Sequence, residues 1–193
     1  MKERELERIV HRYGQPRRGH HTLSLTSEDT MDWLRGKEGS RGEVVLVIRR
    51  PNGKVLLHSK SFYPPGVYRL PSGGIGWEEG IVEAALREVR EETGLEVEME
   101  SFLGLLEYEF RRGGERLHFI SYIFLLSAPR GEPMPSDADE GITAFREVAI
   151  GELRLAARKL RSLGGRWADW GRFRALAHEL AFESLGGDET GYD

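Results

Sequence analysis

The stretch that decides the reading of this chain is Gly73-Gly-Ile-Gly-Trp-Glu-Glu-Gly-Ile-Val-Glu-Ala-Ala-Leu-Arg-Glu-Val-Arg-Glu-Glu-Thr-Gly-Leu95. It opens with Gly73, Gly74 and Gly76, residues whose missing Cβ lets the backbone turn tightly and approach a ligand closely. The pattern then predicts a helix over Gly80–Thr93, with Gly94 as its C-terminal stop. On a helical wheel Val82, Ala85, Leu86, Val89 and Thr93 share one face, which should pack on a sheet. Glu88, Glu91 and Glu92 lie together on a flank at i,i+3 and i,i+4 spacing, whereas Arg87, Arg90 and Glu83 point to the opposite flank and outward.

Such a carboxylate cluster is unfavourable by itself. Like charges at i,i+4 cost a helix ~0.2–0.5 kcal/mol per pair, and they raise one another's pKa. A hard divalent cation between them removes both penalties. Carboxylate oxygens suit Mg²⁺ or Mn²⁺, and Mg²⁺ usually completes its shell with water and substrate phosphates. The plain alternative is a solvated acidic face; the glycine loop just ahead of the helix weighs against it.

The charge distribution points to the same segment. The 193-residue chain has 28 Lys+Arg and 32 Asp+Glu, a formal net charge of −4. Residues 78–92 hold six glutamates and two arginines, so they carry the whole excess and leave a neutral remainder. A mildly acidic chain is a poor general nucleic-acid binder. With 39% hydrophobic residues and four Trp, it should fold. No apolar run approaches the ~20 residues needed to span a bilayer. The N-terminus is too charged for a signal segment. There is no Cys, so disulfides and thiolate metal sites are excluded, and a cytoplasmic location is expected.

Outward from the decisive stretch, residues 3–12 read as a short helix and His21–Leu25 as a strand. Ser27 is the N-cap of a turn reaching Trp33, and Gly36–Gly42 is a linker. Val44–Arg49, the Pro51-Asn52-Gly53 turn and Lys54–His58 form a hairpin. Val67–Leu70 is a short strand. Phe102–Arg111 and Glu115–Ser127 form a second hairpin around Gly113-Gly114. Ala128–Glu140 is a loop, Ile142–Ile150 a last strand, and Gly151–Leu163 and Trp167–Leu185 two helices. Hairpins with a central crossover helix imply an α+β fold, an α/β/α sandwich around a mixed β-sheet. The expected organisation is an N-terminal extension over 1–40, a domain with C-terminal helices over 41–186, and a flexible tail over 187–193. In the last helix Trp167, Trp170, Phe173, Leu176, Ala177, Leu180 and Ala181 recur every three to four residues. This stripe is read as core or lid packing, with a homodimer contact as the lesser option.

Gly73 to Leu95 follows the spacing Gly-x5-Glu-x7-Arg-Glu-Val-x-Glu-Glu-x-Gly-Leu through Gly73, Glu79, Arg87, Glu88, Val89, Glu91, Glu92, Gly94 and Leu95. It resembles the Nudix box, complete in one register, and Tyr68-Arg69-Leu70-Pro71 leads into it as in many members. The resemblance covers roughly residues 42–153. It implies Mg²⁺- or Mn²⁺-dependent hydrolysis of a pyrophosphate bond in a nucleoside diphosphate linked to another moiety, by metal-activated water. It also implies metal ligands at Glu88, Glu91, Glu92 and the Gly73 carbonyl, with Arg87 orienting the glutamates, Glu79 tying the loop to the helix or joining the metal network, and one of the three glutamates or a carboxylate from a later loop activating the water. A carboxylate on the loop before the last strand serves some members as base; Asp137, Asp139 and Glu140 are the candidates here, and Glu140 is chosen as nearest the strand. Gly76 stands where many members carry a Glu, a position outside the strict pattern. The proline and tyrosine that mark ADP-ribose and diadenosine-polyphosphate members are not at their usual spacing.

Candidate substrate contacts are Phe62, Tyr63 and Tyr68 for base stacking, and Arg49, Arg50 and Lys60 for phosphates. The alternative function is a nucleotide-binding sensor with little catalysis. The isomerases that share this fold use a cysteine, which this chain lacks.

Overall fold

Val44–Ile48 is a run of five apolar residues, and all five are buried. A strand is buried on both faces only when layers cover both sides of its sheet, and this chain supplies them. The computed structural model describes residues 2–37, 40–135 and 138–186. In chain order the elements are α1 (Lys2–Tyr13), β1 (Arg17–Ser24), α2 (Glu28–Arg35), β2 (Glu43–Arg49), β3 (Val55–Lys60), β4 (Ser72–Gly74), α3 (Ile81–Thr93), β5 (Glu98–Arg112), β6 (Glu115–Ser127), β7 (Ile142–Val148), α4 (Leu153–Arg161) and α5 (Ala168–Leu185). Short 3-10 turns occupy Ala138–Glu140, Ile150–Glu152 and Gly165–Trp167.

The sheet order is β1-β5-β6-β2-β3-β7, with β4 also paired to β2. The β1–β5 and β6–β2 pairs are parallel and the others antiparallel, so the sheet is mixed. Side chains alternate across it. Val44, Leu46 and Ile48 join a core with Ile9 of α1 and Ala85 and Val89 of α3. Val45 and Val47 join the opposite core with Met31 and Leu34 of α2 and Phe173 and Leu180 of α5. This is the expected α/β/α sandwich. The N-terminal segment belongs to it, since β1 lies along β5 from Arg17↔Gly104 to Ser24↔Arg111.

Several element boundaries differ from the sequence reading. Val67–Leu70 is not a strand; only an isolated bridge joins Arg69 to His58. The strand lies further on, at β4, inside what reads as a glycine loop, in register Val44↔Gly73 and Val45↔Ser72. β1 starts at Arg17 and β5 at Glu98, both ahead of the expected starts, because long-range pairing extends them. β7 ends at Val148, and α4 starts only at Leu153, after a 3-10 turn. In the C-terminal stripe Phe173, Leu176, Ala177, Leu180 and Ala181 are buried in the chain's own core. The expected tail over 187–193 lies outside the described residues.

Asp169 joins α2 to α5. Its carboxylate, 1% exposed, accepts from the backbone N–H of Thr26 at 2.7 Å and of Ser27 at 2.8 Å, and pairs with Arg172. Ser27 in turn caps α2 by accepting from Asp29 N–H. Burial alone would raise the Asp169 pKa, but these donors outweigh it and hold it below the ordinary value. Asp169→Ala leaves two backbone donors unsatisfied at a helix junction. Chemical denaturation should register a loss of ~1–3 kcal/mol; a loss under ~0.5 kcal/mol would mean the clamp is idle.

Candidate metal and phosphate site

The helix carrying the glutamates, α3, is capped by Gly80 at its start and by Gly94 at its end, whose φ of 64° is the left-handed stop. Its buried face comprises Ile81, Ala84, Ala85, Glu88, Val89, Glu92 and Thr93. Leu86, expected in that face, is 38% exposed. The helix is thus rotated so that two of its glutamates point inward, toward β4 and its flanking loop, and a leucine is left outside.

One carboxylate oxygen from each of Glu88, Glu91 and Glu140 lies within 4.8 Å of the others. Glu88 is packed on Gly73, so closely that a Cβ there would sit 1.7 Å from the Glu88 carboxyl carbon. Arg87 does not point away, as the wheel implies. It donates to Glu88 at 2.8 Å, to Glu91 at 2.6 Å, to Glu79 at 2.7 Å and to the Gly74 carbonyl at 2.9 Å. Glu79 also accepts from Gly76 N–H at 2.9 Å. The Arg87 hydrogen bond holds Glu79 below the usual carboxylate range. Burial pushes Glu88 up to about 7 despite Arg87.

Glu92 lies deeper. It is fully buried and accepts from Ser72 N–H at 3.0 Å and from the Lys60 ammonium at 2.9 Å. Burial raises its pKa, opposed by Arg69 and Lys60. The spacing grouped Glu92 with Glu88 and Glu91; among the described residues the compact trio is Glu88, Glu91 and Glu140, with Glu92 bound to Lys60 behind it. Lys60 also pairs with Glu140. Burial disfavours its charge, but the two carboxylates outweigh this and its pKa is raised. Asp139 is exposed and not in the trio, and Asp137 lies outside the described residues.

A cleft of about 230 Å³ opens beside Glu140, bordered by Lys60, Arg69, Arg174, Ser72, Gly74, Tyr63 and Phe62 among others. Arg69 and Arg174 went unrecognised in the sequence. Arg69 is 4% exposed and donates to Tyr63 Oη at 2.6 Å and Ser72 Oγ at 2.8 Å. Arg174, 8% exposed, pairs with Glu43 at 2.7 Å. An arginine next to Phe173 in a buried stripe was a visible signal; its partner, 131 positions away, was not.

Three expected contacts lie elsewhere. Arg50 is buried, holding Glu147 and the carbonyls of Ala128 and Gly131, a structural role at the β2 end. Arg49 pairs with Glu100. Tyr68 packs against the core, with the Arg146 guanidinium 4.3 Å from its ring centroid. None of the three borders the cleft, whereas Phe62 and Tyr63 do.

The family model described as NUDIX domain matches residues 39–170. The chain belongs to the NUDIX domain family. Among curated NUDIX-related proteins it is 34% identical over 91 residues to the ADP-ribose pyrophosphatase of Methanocaldococcus jannaschii, covering 47% of this chain and 53% of that one. It is 31% identical over 170 residues to the mutator-type protein MutT4 of Mycobacterium tuberculosis, covering 86% and 60%. It is 28% identical over 119 residues to phosphatase NudJ of Escherichia coli K12, covering 61% and 74%. The chain spans less than two thirds of the length of the first two relatives. Among the described residues, no helix of this NUDIX chain is long and apolar enough to cross a membrane.

Proposed function

We propose that this NUDIX domain hydrolyses the pyrophosphate bond of a nucleoside diphosphate linked to another moiety, with Mg²⁺ or Mn²⁺ held by Glu88 and Glu91 and with Glu140 beside them as the base. The observation that carries the reading is the convergence of three carboxylates within 4.8 Å beside a cleft lined with buried cations. The donor set fits a hard cation: it is all oxygen, and Gly73 offers a cradle that any side chain would fill. Gly73 and Glu92 are the further donors suggested by the box. When bound, the metal supplies charge neutralisation on the phosphates and a lowered pKa for water.

The chain's own residues supply position and proton transfer. Arg87 fixes Glu79, Glu88 and Glu91 through one guanidinium. Lys60, Arg69 and Arg174 border the space where phosphate oxygens would lie. The Nε of Arg174 is a buried donor without a hydrogen-bond partner among the described residues. Glu140 is the candidate base: its carboxylate borders the cleft, unlike the enclosed Glu92, and would take the proton of the attacking water. The names of the relatives, an ADP-ribose pyrophosphatase and a phosphatase, support this class of substrate. A cysteine-free chain has no disulfide to lose in a reducing compartment, and we place it in the cytoplasm.

The test is a panel of nucleotides, nucleotide sugars and dinucleoside polyphosphates, each with Mg²⁺, with Mn²⁺ and with EDTA. Turnover of at least one diphosphate-linked substrate that stops with EDTA is expected. Absence of turnover throughout the panel sinks the reading, and tight nucleotide binding without turnover would move it to a sensor.

A further inference from the structure

Beyond the cations the cleft changes character. Trp33, Trp170 and Phe62 border both the cation-lined cleft and a second hollow of about 340 Å³. Trp167 completes its aromatic wall, and Asp29 and Arg166 stand on its rim. These aromatics come from three places: α2, the segment after β3, and the start of α5. The box contributes none of them. Asp169 fastens the α2 start to the α5 start, so the walls have a fixed spacing.

Trp33 packs tilted against Phe119 and Phe173, and the other rings are held by edge-on contacts. Trp167 meets Trp170 at 5.3 Å and 75°, and Phe62 meets Tyr63 at 5.0 Å and 84°. Edge-to-face contact fixes rings without stacking them, which leaves room for a planar guest. Phe62 is 59% exposed, a large apolar surface beside the hollow. The hollow sits at the small end of the ~300–1,000 Å³ typical of small-molecule sites. Glu140 of the trio and the buried cations line the cleft, and Trp33, Phe62 and Trp170 continue that lining into the aromatic hollow. A nucleotide derivative has the same order of parts: scissile diphosphate, then sugar, then base. The rim carries an acceptor, Asp29, and a donor, Arg166, which suit the polar edge of a base and give an acyl chain nothing.

We propose that Trp33, Phe62, Trp167 and Trp170 form a nucleobase subsite that selects which diphosphates this chain accepts. The catalytic half of its test rests on the hydrolase reading above; the binding half does not. With EDTA present, AMP and GMP should bind and quench tryptophan fluorescence, with affinity also read by calorimetry, and ribose 5-phosphate should bind far more weakly. Stacking of ~1–3 kcal/mol per base corresponds to roughly 5- to 150-fold. Phe62→Ala and Trp167→Ala should therefore weaken AMP and GMP by about that factor and leave ribose 5-phosphate unchanged, while Trp167→Phe recovers most of the loss. A thermal melt for each variant confirms folding.

Nucleotides binding no better than ribose 5-phosphate, or alanine variants with native affinity, overturn the subsite. In the catalytic half, kcat/KM should fall for ADP-ribose and stay level for inorganic tripolyphosphate, which has no base. Base-dependent binding without any turnover keeps the subsite and defeats the hydrolase reading. Turnover of ADP-ribose equal in all variants does the reverse.

Discussion

Glu88→Gln is expected to stabilise the metal-free chain at pH 8 while removing the proposed hydrolysis. Glu88 is 6% exposed and its pKa is raised from 4.5 to about 7, with burial the largest cause. The folded state therefore holds a proton that the unfolded state has lost between those values, so stability falls as pH rises through that window and the full penalty applies above it. At ~1.36 kcal/mol per pKa unit the ceiling is about 3 kcal/mol. The amide avoids the penalty but loses a charge-assisted bond to Arg87, so a net gain of ~1–2 kcal/mol is the realistic expectation. Arg87 keeps Glu79, Glu91 and the Gly74 carbonyl as partners. Saturating Mg²⁺ should reverse the ranking, since a ligand at 100 times its Kd adds ~2.7 kcal/mol to the native chain. Thermal melts from pH 5 to 8, with and without Mg²⁺, measure all of this. A native chain whose metal-free stability is flat over that range, or a variant that hydrolyses at the native rate, would contradict it.

Gly73→Ala is expected to cost at least ~100-fold in kcat/KM. An added Cβ would lie 1.7 Å from the Glu88 carboxyl carbon and 1.9 to 2.0 Å from its oxygens. No rotamer of alanine relieves that, so Glu88 must move by more than an ångström, and displacements of that size in a catalytic constellation cost on the order of 10²-fold. Overpacking adds ~1–3 kcal/mol of destabilisation. The neighbouring Gly74→Ala is the comparison: its Cβ would meet nothing within 4 Å, so Glu88 stays in place. A metal-free stability profile that keeps its slope in Gly74→Ala and loses it in Gly73→Ala would locate the effect on Glu88. Equal kinetics for Gly73→Ala and the native chain would refute the close packing.

Much of the site was legible because local spacing carries it. Glu88 and Glu91 share a helix flank at i,i+3, and Arg87 reaches Glu91 at i,i+4, whatever the helix packs against. The wheel failed on orientation. Its apolar face included Leu86 and set Arg87 outside, yet the burial that matters is against β4, so Glu88 and Glu92 point inward and Arg87 joins Glu88 to Glu91. Arg50 illustrates the opposite error. A basic residue at a strand end suggests phosphate, but the nearby carbonyls of Ala128 and Gly131, both supplied by the loop after β6, take its donors.

The sequence by itself determined the family, the sheet-forming runs and the carboxylate helix, because each depends on residues close together in the chain. Tertiary structure decided which carboxylate completes the trio, because Glu140, just ahead of β7, lies beside Glu88 and Glu91 of α3 only in the folded chain. It also decided that Lys60 neutralises Glu92, that Arg69 and Arg174 face one cleft, and that tryptophans from α2 and α5 share a wall. Those are contacts between segments far apart in the chain, fixed by sheet order and by the two packed layers rather than by any local period.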